Sequence, residues 1–148
     1  MSYTSVARTK IAAKNIEIHN GKTATMTDQD AQIFLDWADD VINSKLSVVC
    51  TTPLRQITRN SVTRYPAPIE YIATELAAGW MVESVYARIE PQVSDSGKAH
   101  KDNALAQLDE LCNGLLLGSR RLEGQDLKTR NSFVNPYVAP LEPPKSGF

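Results

Sequence analysis

The sequence predicts a mainly α-helical protein: a small bundle of three to four helices with a short N-terminal β-hairpin and an extended C-terminal tail. Two long segments, residues 28–46 and 66–90, repeat apolar residues at spacings of three and four, as a helix with one buried face does. Residues 131–148 contain four prolines, which exclude a stable helix there. We therefore expect an N-terminal arm with a hairpin over residues 1–26, a helical core over 27–118 and a proline-rich tail over 119–148.

Length and composition indicate one globular domain. The chain has 148 residues, of which 42% are hydrophobic and 22% charged, enough for a proper core. A net charge of −1 argues against a strongly basic nucleic-acid-binding protein as the default. Segments of opposite sign alternate along the chain. This alternation suits docking on copies of itself or on several neighbours, and it equally suits chance variation among solvated faces.

Cysteine usage and hydropathy indicate a reducing compartment and no membrane. Cys50 and Cys112 lie far apart without a CxxC spacing, which predicts two buried or half-buried free thiols. The N-terminus lacks the continuous apolar core of a signal peptide. No stretch approaches the roughly 18 apolar residues of a transmembrane helix.

The first 26 residues carry the predicted hairpin. Residues 1–14 suit either a short amphipathic helix or a mobile basic arm. The segment from Asn15 to Met26 alternates Ile16 and Ile18 around Asn20–Gly21, the strongest local signal for a two-residue hairpin turn. We expect this hairpin to be the only β structure of the chain.

The first long helix is predicted over residues 28–46. Thr27 can cap it, and Asp28 and Asp30 lie in the first turn, where negative charge is favoured. Its apolar stripe lies opposite an acidic face of Asp36, Asp39 and Asp40.

The segment from Ser47 to Tyr65 breaks the helical pattern. Pro53 and several threonines disfavour a helix, so we expect a loop, or a short helix around residues 53–59. Its charged residues are Arg55, Arg59 and Arg64. They suit solvated partners of the acidic helix, contacts to phosphates, or contacts to acids of a neighbouring subunit; we favour the neighbour.

The central helix is predicted from Pro66 to Glu90 and is stopped by Pro91. Gly79 is costly inside a helix, so close packing of another helix is its expected reason. A turn-rich connection should follow over residues 91–98, and a third helix from about Ala99 to a glycine at Gly118. The three helices are expected to share a core of Trp37, Leu46, Leu76, Trp80, Leu108 and Leu111.

Motifs for catalysis, metal binding and cofactor binding are missing. His19 and His100 have no cysteine or carboxylate at ligand spacing, and there is no Gly-rich phosphate loop, GxSxG or HExxH. We therefore predict no catalytic residues, no metal, no cofactor and no enzymatic activity.

The helical region resembles the small head–tail connector proteins of tailed bacteriophages. The likeness covers about residues 26–117. It is carried by an acidic opening followed by a tryptophan-containing helix, and by an Arg-Tyr-Pro corner that leads through a second proline into an Ala-rich helix. In this sequence these are Thr27-Asp28-Gln29-Asp30, Trp37-Ala38-Asp39-Asp40-x-Ile42-Asn43-x-x-Leu46, Arg64-Tyr65-Pro66, Pro68 and Ile69–Ile89.

The resemblance implies a structural adaptor, or head-completion protein, of the virion neck. Such proteins form a ring, usually a dodecamer, between the portal and the tail or the next neck protein. The ring extends the channel through which genomic DNA passes without sequence-specific binding, and it is assembled in the host cytoplasm.

Two surfaces are expected to serve this assembly. The tail cannot fold on itself, so it is either disordered or laid along another surface, and the resemblance implies that this surface is the portal. The expected portal-binding residues are Phe133, Val134, Tyr137, Val138, Leu141 and Phe148. The expected subunit interface pairs Asp36, Asp39 and Asp40 with Arg55, Arg59 and Arg64 of the next copy.

Two other function classes are weighed against the adaptor. One is a small helical nucleic-acid-binding module that uses the loop of Arg55, Arg59 and Arg64. The other is a small enzyme or enzyme regulator, which needs a site that the sequence does not contain. Salt-dependent binding of the isolated protein to DNA would favour the first.

Overall fold

The computed structural model describes residues 2–13, 26–86 and 91–128. Within these ranges it contains four helices and one two-stranded hairpin, which confirms the mainly α-helical fold class. The elements are α1 (Val6–Ala13), α2 (Asp28–Leu46), β1 (Ile57–Arg59), β2 (Val62–Arg64), α3 (Ala67–Tyr86) and α4 (Pro91–Leu117). The hairpin predicted around Asn20–Gly21 lies outside the described residues.

The N-terminal segment belongs to the folded core and is not a separate arm. Tyr3 is 2% exposed, and its backbone N–H donates to Asp39 Oδ1 at 3.0 Å. Its hydroxyl donates to Asn43 and accepts from the Leu54 N–H at 2.8 Å. Of the two structures that the sequence allowed for residues 1–14, α1 is the helix. The contacts that hold this segment come from distant parts of the chain, so the local sequence could not distinguish a helix from a mobile arm.

Helix α2 has the predicted bounds, and the local signals explain why. The Thr27 hydroxyl accepts from the Asp30 N–H at 3.1 Å, so the predicted N-cap is confirmed. Asp28 and Asp30 lie in the first turn. The buried stripe consists of Ala31, Leu35, Ala38, Ile42 and Leu46.

Helix α3 is the centre of the bundle, since α1, α2 and α4 all pack against it. Its closest neighbour is α4, at the point where Gly79 meets Gly97. A Cβ atom built on Gly79 would lie 2.6 Å from the Gly97 carbonyl oxygen. The predicted reason for Gly79, close approach of another helix, is confirmed.

Helix α4 begins earlier than predicted. Residues 91–98 were expected to form a connection, and instead Pro91 is the first helical residue. Proline is tolerated there because the first N–H groups of a helix have no intrahelical partner. Gly97 would weaken an isolated helix, but packing against Gly79 overrides that local preference. The helix ends as predicted at Gly118, whose φ is 81°.

The segment after α2 contains a β-hairpin where a loop or a short helix was predicted. β1 and β2 pair antiparallel, and the Thr58 and Thr63 hydroxyls across them are 2.8 Å apart. The turn residues Asn60 and Ser61 have φ of 50° and 66°, the positive values of a type I′ turn. The chain therefore has β structure outside the predicted N-terminal hairpin.

Residues 119–128, which were predicted to belong to the tail, return to the bundle. Leu122 is 6% exposed. The Thr51 N–H donates to the Asp126 carbonyl at 2.9 Å, and the Lys128 N–H donates to the Val49 carbonyl at 2.8 Å. The folded unit thus reaches Lys128, and the remainder of the predicted tail lies outside the described residues.

The predicted core is correct for the leucines and wrong for one tryptophan. Leu46, Leu76, Leu108 and Leu111 are at most 1% exposed. Trp80 is half-buried against the core, whereas Trp37 is 49% exposed. Trp37 lies one position away from the buried stripe of α2, so its ring reaches only the edge of the core.

The two cysteines are free, as predicted. Cys50 is buried and Cys112 is half-buried. Burial raises the pKa of both thiols, which favours their neutral form.

Candidate functional site

One face of α2 combines exposed apolar and acidic side chains. Ile33, Asp36, Trp37 and Asp40 follow each other at spacings of three and four, so they share one side of the helix. Ile33 is 47% exposed and Trp37 is 49% exposed, and both carboxylates are exposed. We call these four residues the acidic aromatic face.

The Trp37 ring is held in place by two other aromatic rings. It meets Phe34 edge to face, with ring centroids 5.3 Å apart and an interplanar angle of 85°. It meets Trp80 of α3 at 5.9 Å and 88°. Such contacts stabilise one ring position. A large aromatic side chain that is both fixed and half-exposed is typical of the residues that dominate protein interfaces.

Asp39 differs from the other two predicted interface acids because it is already engaged within the chain. It is half-buried and accepts the Tyr3 N–H. Burial raises its pKa from 3.8 to about 6, while the hydrogen bonds from the Tyr3 N–H and the Ser2 side chain lower it. The neighbouring Asp36 carboxylate adds to the rise.

The raised pKa of Asp39 predicts a pH-dependent stability. The folded chain binds this proton more tightly than the unfolded chain, so the contribution is fully present below about pH 4 and is lost as the pH rises through about 6. Asp39→Asn keeps an oxygen acceptor for the Tyr3 N–H and removes the charge. We expect it to exceed the wild type in free energy of unfolding by about 1 kcal/mol at pH 7, because water screens the half-buried carboxylate.

Urea unfolding at pH 4 and pH 7 measures this difference. The advantage of Asp39→Asn should shrink toward pH 4, where the wild-type carboxyl is protonated. Asp40→Asn, at an exposed position, is the control and should stay within about 0.5 kcal/mol of the wild type. An advantage that grows toward low pH contradicts the prediction.

The three arginines of the predicted interface each pair with a carboxylate of the same chain. Arg55 pairs with Asp126 at 2.9 Å and Arg64 with Glu70 at 2.8 Å. Arg59 makes two bonds to Glu123, at 2.7 and 3.1 Å. A single chain holds no neighbouring subunit, so the predicted contact of these arginines with acids of the next copy stays a prediction. Such a contact would have to compete with the pairs described here.

The Arg-Tyr-Pro corner has a structural position at the start of α3. Tyr65 and Pro66 are buried, and the Tyr65 ring meets the Tyr3 ring edge to face at 4.7 Å. Beside the corner, the hairpin and residues 121–123 enclose an open groove of about 550 Å³. Arg59, Arg64 and Arg121 contribute to its lining.

A second surface, at the end of α4, was missed by the sequence reasoning. Leu117 is 78% exposed, and Arg120 and Arg121 are exposed immediately after it. Neither arginine pairs with a carboxylate of the described residues, in contrast to Arg55. We call Leu117, Arg120 and Arg121 the basic corner. The two consecutive arginines are visible in the sequence. They were assigned to the tail, so their position beside the bundle was not predicted.

Metal-ligating residues do not cluster within residues 2–13, 26–86 and 91–128, where no group of three or more is found. His100 instead lies with its Nδ1 3.1 Å from Glu75 Oε1. His19 lies outside the described residues. In the same ranges, no helix has the length and apolar content to span a membrane.

The predicted portal-binding residues also lie outside the described part of the chain. They are Phe133, Val134, Tyr137, Val138, Leu141 and Phe148.

Comparisons of the chain with protein-family models, with curated proteins and with solved structures found no match.

Proposed function

We propose that the chain is a structural virion protein, an adaptor subunit that forms a ring between the portal and the tail or the next neck protein. The observation that carries the proposal is the acidic aromatic face. Trp37 and Ile33 leave about half of their apolar surface in water, although Trp37 is fixed by Phe34 and Trp80. Apolar surface gains free energy when another protein covers it, so this face suits a protein that works by assembly.

The local structure of the resembling motifs supports the same function. The acidic opening caps α2 through Thr27, and the Arg-Tyr-Pro corner leads directly into the central helix α3. These motifs therefore set the starts of α2 and α3, which is the role expected of residues that define an adaptor fold. In this proposal the ring is a dodecamer at the neck of the virion and extends the channel for genomic DNA.

The proposed contact with the portal is made by the tail, with Phe133 and Tyr137 as anchors. Large aromatic side chains dominate such contacts. Proline limits the freedom of the unbound tail, so less entropy is lost when it docks in an extended form.

The alternative function, a nucleic-acid-binding module, receives less support. Phosphate binding would use Arg55, Arg59 and Arg64, and each of these already pairs with a carboxylate. A phosphate would have to displace that carboxylate or bind beside its negative charge. Steeply salt-dependent binding of the full chain to DNA would nevertheless favour this alternative over the adaptor.

Electron microscopy of the full chain mixed with the portal protein of the same genome tests the proposal. We expect a ring of added density on the portal. A variant lacking residues 131–148 should keep the helical circular dichroism of the wild type, because the contacts of residues 119–128 remain, and should lose attachment.

The matched control is Leu127→Ala, which removes a 39% exposed apolar side chain but leaves the tail intact. It should attach normally. Attachment by the truncated chain would refute the role of the tail. Failure of the full chain to attach to the portal would refute the adaptor function itself.

A further inference from the structure

We infer that neighbouring copies join through the acidic aromatic face of one copy and the basic corner of the next. This inference rests on the proposed function, since it names the surfaces by which the ring would close. It concerns a second copy of this chain as the occupant of the α2 face.

The acidic aromatic face has the composition of one half of a contact. Trp37 and Ile33 form an apolar strip along the helix, and Asp36 and Asp40 lie beside it on one side. The Asp36 carboxylate accepts from Gln32 Nε2 at 3.0 Å, and among the described residues neither Asp36 nor Asp40 has a basic partner. A partner with an apolar side chain next to positive charges would complement it.

The basic corner has that complementary composition. Leu117 is the most exposed large apolar residue of the described chain, at 78%. The chain then turns at Gly118, and the Arg120 N–H donates to the Gly114 carbonyl at 3.0 Å. This turn brings Arg120 back against the end of α4, where a Cβ on Gly114 would lie 2.5 Å from its side chain. Leu117 and Arg120 thus lie close together at the end of α4, and Arg121 follows beside the groove that Arg59 and Arg64 also line.

The ion pairs that the arginines already make favour the basic corner over residues 55–64, here called the hairpin loop, as the surface that meets the acids of the next copy. Arg55, Arg59 and Arg64 have carboxylate partners within the chain, and breaking those pairs offsets whatever a new acid would contribute. Arg120 and Arg121 have no such pair to break among the described residues. The acids of the next copy therefore gain more by meeting the basic corner.

The two surfaces are different parts of the subunit, and this decides the symmetry of the contact. Trp37 lies in the middle of α2 and packs on Trp80 of α3, whereas Leu117 is the last residue of α4. A contact between two different surfaces is heterologous, and it generates a ring when the rotation closes. Pairing of the acidic aromatic face with itself is disfavoured, because two acidic faces would repel each other.

Charge reversals in the full chain test the pairing by sedimentation velocity. Asp36→Lys with Asp40→Lys gives a chain with two basic surfaces, and Arg120→Glu with Arg121→Glu gives a chain with two acidic ones. Each should lose self-association by at least about tenfold, because like charges then face each other. An equal mixture of the two should assemble again, since every contact in an alternating ring joins opposite charges.

Two controls separate this pairing from other effects of charge. Asp102→Lys with Glu110→Lys makes the same change of net charge at exposed positions of α4 and should assemble as the wild type does. Arg55→Glu with Arg59→Glu reverses arginines of the hairpin loop. Each of the two Arg→Glu chains is mixed with the Asp36→Lys, Asp40→Lys chain. If the Arg55→Glu, Arg59→Glu chain restores assembly in this mixture and the Arg120→Glu, Arg121→Glu chain does not, the hairpin loop is the partner surface and the inference is overturned.

Portal attachment, measured separately, distinguishes failure of the inference from failure of the proposed function. A wild-type chain that attaches to the portal but sediments as a monomer up to its solubility limit refutes the inference alone. Unchanged self-association of the charge-reversed chains also refutes the inference. If the Asp36→Lys, Asp40→Lys chain then loses portal attachment, the portal is the occupant of the acidic aromatic face. A chain that self-associates as expected and never attaches to the portal refutes the adaptor function and leaves the pairing standing.

Discussion

Replacing Leu76 by alanine is expected to lower the free energy of unfolding by about 2–5 kcal/mol. Leu76 is 0% exposed and lies on α3, the helix against which the other three pack. Truncation removes the transfer free energy of the lost methyl groups and leaves a cavity that the tightly packed helices can fill only in part. A domain of this size has a total stability of about 5–15 kcal/mol, so the loss is a large fraction.

Urea unfolding followed by far-UV circular dichroism measures this loss. Leu105→Ala is the matched control, because Leu105 lies on α4 and is 36% exposed. It should cost no more than about 1 kcal/mol, since less apolar surface returns to water. A Leu76→Ala protein that unfolds at the same urea concentration as the wild type would contradict the assignment of Leu76 to the core.

Replacing Gly79 by valine is expected to destabilise the fold by about 3 kcal/mol, at the upper end of the cost of overpacking. The first added carbon would lie 2.6 Å from the Gly97 carbonyl oxygen, and this backbone atom cannot rotate away as a side chain can. Helices α3 and α4 would have to separate along their contact. The higher helix propensity of valine over glycine recovers only about half a kcal/mol.

The control for Gly79→Val is Ala106→Val at an exposed position of α4. It introduces the same β-branched side chain at a solvent-exposed position, so it should lower the free energy of unfolding only through the lower helix propensity of valine, by roughly 0.5 kcal/mol. Thermal unfolding of the two variants beside the wild type provides the comparison. Equal stability of Gly79→Val and the wild type would show that α3 and α4 do not approach each other as closely as described.

The candidate site could be predicted only in part. The acidic residues of α2 were predicted to form a subunit interface because their helical spacing is visible in the sequence, and this interface stays a prediction. The exposure of Trp37 was not predicted, because a tryptophan beside an apolar stripe is usually part of the core. A shift of one position around the helix decides whether such a side chain faces the core or the solvent. The partners of Arg55, Arg59 and Arg64 are carboxylates that lie close along the chain only for Arg64.

What the sequence by itself determined was local. Thr27 and the aspartates after it are sufficient to start α2, because the cap and the helix dipole act within one turn. Gly118 ends α4 because its φ of 81° is readily adopted only by glycine. These features depend on neighbours in sequence, so they were predicted correctly.

The tertiary structure decided the features whose free energy comes from distant residues. Gly97 is helical because α3 packs against it, although its own propensity is poor. Residues 57–64 form a hairpin with a turn at Asn60–Ser61 where Pro53 and the threonines indicated a loop. Residues 119–128 belong to the bundle because their backbone bonds to Val49 and Thr51, some seventy-five residues away. Contacts between such distant segments leave no periodic pattern in the sequence, so they can be identified only in the tertiary structure.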